Sequence, residues 1–298
     1  MRRPPRIGLL LGSALVVASG AARAGGVPPL DPELLARRVA RNQELVERRW
    51  GGATYDLLEV RTRLGKDGRP TRTGRRLFYV LAGENGGDGT RELVEVDGRP
   101  ATPEEVREAT SEDAKRHRRL EERAAKRTAA PPEMTGDEDP LVGDRRLSEL
   151  LARYELTFVS EEVLEGRPVY VLDFAARPGL PAQTLADRAL AALEGRVVID
   201  AADLQVASLE ARLTRDLKVA GGLAASVKDA RVVYRAARLG AGLWFPCRVD
   251  LHVAGKKAVF FRLDTAFRFE FANLKSFRVE TEAVVGGPGE PRSDPSPP

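Results

Sequence analysis

The chain has 298 residues, and 42% of them are hydrophobic, enough for a substantial core. It carries 48 lysines and arginines against 44 aspartates and glutamates; four of the arginines lie in the first 24 residues, so the remainder is electrically balanced and lacks the basic surface that nucleic-acid binding requires. The single cysteine excludes an internal disulfide and a cysteine-based metal cluster.

The first 24 residues have the three parts of a secretory signal peptide. Residues 2, 3 and 6 are arginines, an apolar run covers Ile7 to Ala18, and Ala22-Arg23-Ala24 offers small residues at a cleavage site. The apolar run is too short to span a bilayer, which takes about 20 residues, and no later segment is long and apolar enough. We expect cleavage near Ala24 and a periplasmic or secreted mature chain with no transmembrane segment.

One helix and three strands are expected before residue 100. Asp31-Pro32-Glu33 combines a capping acid with proline at the first helical position and predicts a helix to about Arg49. Apolar or alternating runs then predict strands over 55–64, 77–82 and 92–96. The first two of these strands are predicted to form a hairpin with a long loop.

A charged helix is expected next. Thr102-Pro103-Glu104-Glu105 is a capping box, and the helix that it starts extends to about Arg127 with few large apolar residues. A helix of this kind is either a solvated excursion or a surface for a partner, and both interpretations stay open. We expect a helical excursion over 102–142, in which residues 103–127 are a candidate surface for an envelope protein and residues 129–139 form a linker.

From residue 144 onward the pattern is mainly antiparallel strand. A short helix to Tyr154 precedes strand pairs joined by turns, among them Glu165–Pro168 and Ala201–Asp203, and a second short helix covers 185–193. Strands over 257–271 and 275–283 are expected to close the series. Short strands with regularly spaced turns predict an α+β fold that is mainly antiparallel β, curved or rolled into a barrel. Residues 285–298 are rich in glycine, proline, serine and charge, which predicts a disordered tail.

The late strand over 257–271 has the clearest alternation of apolar and polar residues in the chain. One face carries Phe261, Leu263, Phe267, Phe269 and Phe271, and the other face carries Arg262, Asp264, Arg268 and Glu270. Such a period of two indicates one buried face and one wet face. The buried face either fills a core or lines an internal cavity, and the pattern is the same for both.

Residues that carry chemistry are sparse, and no catalytic or cofactor-binding motif is present. His117 and His252 are far apart in sequence, and each is expected to be solvated or satisfied. Asp200 and Asp203 flank a turn, where aspartate commonly bonds its own backbone. Cys247 follows bulky apolar residues and is expected to be buried and inert. We therefore predict no enzymatic activity, no metal and no cofactor.

Three short motifs resemble the periplasmic lipoprotein-carrier superfamily, which includes LolA/LolB-type lipoprotein-sorting proteins and RseB-like sensors. They are the run Gly166–Leu172, the hairpin Gly195–Glu210 and Trp244-Phe245-Pro246, and the resemblance covers roughly residues 155–283. It implies a single domain over 25–284, with a curved, open β-barrel and helices on its concave side. Members of this superfamily bind acyl chains in that concavity.

Three functions follow for the mature chain. The leading hypothesis, implied by the resemblance, is a non-enzymatic periplasmic carrier of a lipid or an acylated protein. The apolar face of residues 261–271 described above is then the candidate lining. The alternative is an envelope scaffold or sensor whose barrel core is filled, and a hydrolase with an unrecognised site is the third. A cavity for an acyl chain favours the first, a solid core with the charged helix docked on it favours the second, and a cleft with converging polar groups favours the third.

Overall fold

The computed structural model describes residues 31–83, 89–129, 147–151, 153–179, 185–219, 225–240, 242–257 and 261–275. The expected leader (1–24), most of the linker, the strand expected over 275–283 and the tail (285–298) lie outside these residues.

The described residues form four helices and twelve strands. The helices are α1 (Pro32–Arg49), α2 (Pro103–Ala129), α3 (Leu147–Leu151) and α4 (Leu185–Leu190). The strands are β1 (Thr54–Leu64), β2 (Pro70–Leu81), β3 (Thr90–Val96), β4 (Arg99–Pro100), β5 (Tyr154–Leu164), β6 (Arg167–Ala176), β7 (Leu193–Asp200), β8 (Val206–Leu213), β9 (Leu217–Val219), β10 (Ala225–Gly240), β11 (Leu243–Lys257) and β12 (Phe261–Lys275).

These strands form one antiparallel sheet in the order β4-β3-β2-β1-β12-β11-β10-β8-β7-β6-β5, with β9 paired to β10. Apart from β9, the strands from β5 to β12 lie side by side in chain order. Because β1 hydrogen-bonds to β12, the amino-terminal hairpin extends the sheet beyond its last strand. Within the described residues β4 and β5 each pair on one side only, so the sheet is unclosed. The predicted fold class, α+β with a mainly antiparallel and open sheet, is confirmed in these respects.

The helix α1 begins as its sequence predicts. The Asp31 carboxylate accepts hydrogen bonds from the backbone N–H groups of Glu33 (2.8 Å) and Leu34 (3.0 Å), which satisfies donors that a helix start leaves unpaired. Leu35, Val39 and Val46 are buried on one side of α1. That apolar side packs against the sheet, so α1 is held by tertiary contacts as well as by its cap.

The charged helix α2, for which the sequence left a solvated excursion and a partner surface open, is anchored to the sheet over its first three turns. Its capping box forms: the Glu105 carboxylate accepts from the Thr102 N–H at 2.8 Å. Ala109 and Asp113 are buried at 6% and 7% exposure, and Ala109 packs with Phe78 of β2. A small residue at this contact lets the helix backbone approach the strands closely, which composition alone does not reveal.

Some strand boundaries differ from the sequence expectation. The strand β2 starts at Pro70 rather than at residue 77, so the first hairpin closes through a tight turn in which Gly68 has φ +74°. The polar residues of 70–76 belong to a strand because they pair with β1. Lys257, expected to start the strand over 257–271, ends β11 instead, and the sequence did not predict the short strand β9.

All four helices lie on one face of the sheet. Leu35 of α1 and Leu151 of α3 share a buried cluster with Leu172 of β6. Ala189 of α4 packs with Leu251 of β11, and Ala109 of α2 belongs to the cluster around Phe78 of β2. The strand registers place Leu172, Leu251 and Phe78 on the same face. The core therefore lies between this face and the helices.

Candidate functional site

A half-buried apolar surface crosses the middle of the helix-bearing face, between the part covered by α1 and α4 and the part covered by α2. We call it the apolar strip. We define it by eight half-buried apolar residues of β8, β10, β11 and β12 on this face: Leu209, Val232, Tyr234, Val249, Leu263, Phe267, Phe269 and Phe271.

One row of directly paired residues describes how burial changes across this face. It runs from β6 to β2 through eight residues: Leu172, Val197, Leu209, Tyr234, Val249, Phe269, Glu59 and Arg76. The first two are fully buried, at 0% exposure, beneath the helices. The next four are half-buried strip residues, and the last two are charged. At about 4.8 Å per strand, the half-buried part is about 14 Å wide.

The sequence-predicted lining residues divide between the two ends of this strip. Leu263 and Phe267 pack against the cluster beneath α4, whereas Phe269 and Phe271 pack against the cluster beneath α2. Thr265 lies between Leu263 and Phe267 on the same face and is buried. The side chain of Phe261 lies outside what the structure describes, although its backbone pairs with Lys257.

The rings of Phe267 and Phe269 are stacked, with centroids 6.4 Å apart and planes 5° from parallel. The guanidinium of Arg61, one strand away, lies 5.5 Å from the centroid of Phe267, within cation–π range. The middle of the strip therefore presents a flat aromatic surface with a cation at its border.

Sequence reasoning missed the residues that β8, β10 and β11 contribute. Leu209, Tyr234 and Val249 lie in register with Phe269 but far from it in sequence. Alternation within each strand was visible and could have found them individually. Hairpin partners could be predicted from the turns, but the pairing of β8 with β10 and that of β1 with β12 could not, so the shared row could not be assembled.

A charged cluster closes the strip on the α2 side. Arg91 of β3 donates to Glu59 of β1 at 2.7 Å and to Asp113 of α2 at 2.6 Å. Arg76 reaches Glu59 at 3.5 Å and Glu112 at 3.1 Å. Burial disfavours the charge of Arg91, but the two carboxylates outweigh that cost and raise the pKa of its guanidinium.

Arg91, at the centre of this cluster, lies on an aromatic ring and is largely shielded from water. The guanidinium of Arg91 is 4.6 Å from the centroid of Phe78, which is 0% exposed. The side chains of Arg91 and Asp113 are only 16% and 10% exposed. Because these pairs are largely desolvated, they contribute more to holding α2 than surface pairs do.

The two turn aspartates are held by arginines and do not form a free carboxylate pair. Arg167 binds both oxygens of Asp200, at 2.5 and 2.8 Å. Arg238 and the Trp244 indole donate to Asp203 at 2.7 and 2.9 Å. Burial alone would raise the pKa of each carboxyl, but these donors outweigh it and lower both pKa values. Ionised, fully bonded carboxylates of this kind anchor the β7–β8 turn to β6, β10 and β11.

The remaining chemistry-bearing residues have ordinary structural roles. Both ring nitrogens of His252 lie near carboxylates, Nε2 at 3.0 Å from Asp264 and Nδ1 at 3.3 Å from Asp229. Asp264, expected on the wet face, is buried because His252 and Arg262 cover it. Cys247 is half-buried rather than fully buried, and desolvation raises the pKa of its thiol, which makes it a weak nucleophile.

No group of three or more metal-ligating side chains occurs in the part of the chain that the structure describes. A search of the described helices for one that is long and apolar enough to cross a membrane found none.

Comparisons with known proteins found likeness in structure only. No family model and no curated protein sequence matches this chain. A domain assigned to outer membrane lipoprotein sorting, from Vibrio parahaemolyticus, is similar over 85% of this chain and 96% of its own, with 12% identity and a TM-score of 0.38. A LolA superfamily protein from Nitrosomonas europaea is similar over 82% and 94%, with 10% identity and a TM-score of 0.34.

A chain of the MucA/MucB complex from Pseudomonas aeruginosa is also similar, over 79% of this chain and 93% of its own, with 12% identity and a TM-score of 0.21. Solved structures of the superfamily that the sequence resembles are thus among those similar to this chain.

Proposed function

We propose that the protein is an exported, non-enzymatic periplasmic carrier that binds an acyl chain in the apolar strip. The observation that carries the proposal is the row Leu209–Tyr234–Val249–Phe269, which is half-buried while the same face is covered by helices on both sides. An acyl chain is the ligand class that fits, because each buried methylene contributes about 0.8 kcal/mol and needs no charged partner.

The bonding of the charged side chains around the strip supports an acyl chain rather than a polar ligand. Of the charged groups beside the strip, Glu59 and Arg91 already bond to each other, and the Arg61 guanidinium lies over the ring of Phe267. The turn carboxylates of Asp200 and Asp203 are likewise bonded to arginines. Binding in the strip therefore rests on apolar contact with the aromatic and aliphatic side chains.

The test is binding of a fluorescent long-chain fatty acid to the purified mature chain and to Val249→Glu. The new carboxylate lies in the middle of the strip, between Tyr234 and Phe269, so affinity should fall by at least tenfold because burying a charge against a chain is costly. Val163→Glu is the matched control, since Val163 is 73% exposed on the edge strand β5. Equal affinity in all three proteins, or no binding by the native chain, would overturn the proposal.

Acyl chains are carried both by free lipids and by acylated proteins. Two further experiments distinguish these two sources. An acylated peptide is titrated in parallel with the free fatty acid, and preference for the former identifies the cargo as a protein. Native mass spectra of the chain purified from cells, before and after organic extraction, identify a co-purified lipid. The mass of the mature chain also tests cleavage near Ala24.

The second candidate is an envelope scaffold or sensor with residues 103–127 as its partner surface. It is favoured by one observation: α2 packs on the sheet through Ala109, which fills that end of the helix-bearing face. This candidate gains support if the native chain binds neither acyl ligand while deletion of residues 114–129 abolishes capture of an envelope protein.

A further inference from the structure

Three arginines of the first hairpin adjoin the apolar strip on the helix-bearing face. We call Arg61, Arg63 and Arg72 the basic patch. Arg61 of β1 lies directly opposite the strip residue Phe267, and Arg63 lies opposite the buried Thr265. Arg72 of β2 lies opposite Arg63. Because directly opposite residues of an antiparallel pair share a face, all three arginines belong to the face that carries the strip.

The basic patch has no counter-charge of its own. Among the residues that the structure describes, none of its three guanidinium groups pairs with a carboxylate. Glu59, two residues from Arg61 on the same face, is already bonded to Arg91 and Arg76. The cluster around Glu59 has three carboxylates and two arginines, so this cluster and the basic patch together keep a net charge of about +2 at neutral pH.

The position of these arginines, rather than their lack of a partner, sets them apart. Arg75 and Arg235 also pair with no described carboxylate, but both lie on the outer face. The guanidinium of Arg61, in contrast, is 5.5 Å from the ring centroid of Phe267. A cation in contact with a strip ring lies where a ligand bound in the strip would end, and the apolar surroundings strengthen its attraction for an anion.

There is open space for a ligand group beside Arg61. The residue opposite Arg61 on β2 is Gly74, and nothing lies within 4 Å of the position that a Cβ would take there. From the spacing of strands and residues in a sheet, the Cα atoms of the three arginines lie within about 9 Å of one another. Long arginine side chains can converge on one anionic group across this span.

We infer that the acyl chain bound in the strip carries an anionic head group, a carboxylate or a phosphate, and that the basic patch binds this group. The inference rests on the proposed acyl-chain binding and adds the class of ligand. The guanidinium fork suits the oxygens of both head groups. The stacked rings of Phe267 and Phe269 then contact the methylenes next to the head group. An ionised lipid fits this arrangement better than an acylated peptide, whose acyl chain ends in a neutral amide or ester.

The experiment is calorimetric titration of the mature chain with dodecanoate, dodecanol and dodecyl phosphate, which share one chain length. At about pH 8 the carboxylic acid is ionised, and the native chain should bind dodecanoate at least tenfold more tightly than dodecanol. The variant Arg61→Gln/Arg63→Gln should lose this preference but keep its affinity for dodecanol, because the strip is unchanged. Retained dodecanol binding also shows that the variant is folded.

The matched control is Arg75→Gln/Arg235→Gln, which removes the same charge from exposed positions on the outer face and should bind like the native chain. Tighter binding of dodecyl phosphate than of dodecanoate, lost in the patch variant, identifies the head group as a phosphate; the reverse order identifies a carboxylate. Equal affinity of the native chain for dodecanoate and dodecanol, or an unchanged preference in the patch variant, would overturn the inference and leave acyl-chain binding intact. Failure of all three ligands to bind would overturn both.

Discussion

Phe269 of β12 lies directly opposite Glu59 of β1, so the apolar strip ends where the amino-terminal hairpin joins the sheet. Glu59 is bonded to Arg91, which in turn holds Asp113 of α2. The residues that end the apolar surface thus also position the helix that covers the neighbouring part of the face.

The bond between Arg91 and Asp113 should be a main anchor of α2. We expect Asp113→Asn to lower the free energy of unfolding by about 1–3 kcal/mol, because it weakens a largely buried, charge-assisted pair. The neighbouring change Glu112→Gln should cost at most about 0.5 kcal/mol, since its bond to Arg76 is half-exposed. Urea unfolding of the two variants measures the difference, and equal costs would contradict the anchoring role.

The Asp200 carboxylate should be essential to the β7–β8 turn. It is 0% exposed and accepts from Arg167 and from the backbone N–H of Asp203. Asp200→Ala should cost about 3 kcal/mol, because it leaves these donors without their acceptor. Asp173→Ala, which breaks the exposed pair with Arg196, should cost no more than about 1 kcal/mol. Thermal and urea unfolding test both; a small cost at Asp200 would refute this assignment.

The cap of α2 should titrate at unusually low pH. The hydrogen bond from Arg99, aided by the Thr102 N–H, lowers the pKa of Glu105 to about 2. Since this pKa lies below the unfolded value of about 4.3, the cap's contribution to stability is present above that value and is lost as pH falls towards 2. The carboxyl carbon shift of Glu105, followed by NMR, should have its midpoint near 2, and Arg99→Gln should raise it. A midpoint near 4 in the native chain would contradict the cap geometry.

Gly255 should be intolerant of a side chain. A Cβ built there would lie 2.0 Å from the carbonyl oxygen of Ser226 on β10, next to the bulge at Val227. Gly255→Ala should therefore destabilise the protein by at least about 1 kcal/mol, because the backbone has to move. Gly74→Ala is the control, since nothing lies within 4 Å of its Cβ position. The melting temperatures of the two variants, compared with that of the native protein, test this prediction.

Local features of this chain were determined by the sequence itself. The cap at Asp31, the capping box at Thr102 and the strand over 261–271 each follow from neighbouring residues and reappear in the structure. Such features depend on hydrogen bonds and side-chain directions within a few residues, so one sequence suffices to predict them.

Strand neighbours and the candidate site were decided only by the tertiary structure. The pairing of β1 with β12 joins residues about two hundred positions apart, and nothing in either strand specifies the other. That pairing brings Glu59 beside Phe269, and the pairing of β8 with β10 brings Leu209 beside Tyr234. Alternation tells which side chains share a face of one strand, but only the packing of the whole sheet determines which faces adjoin.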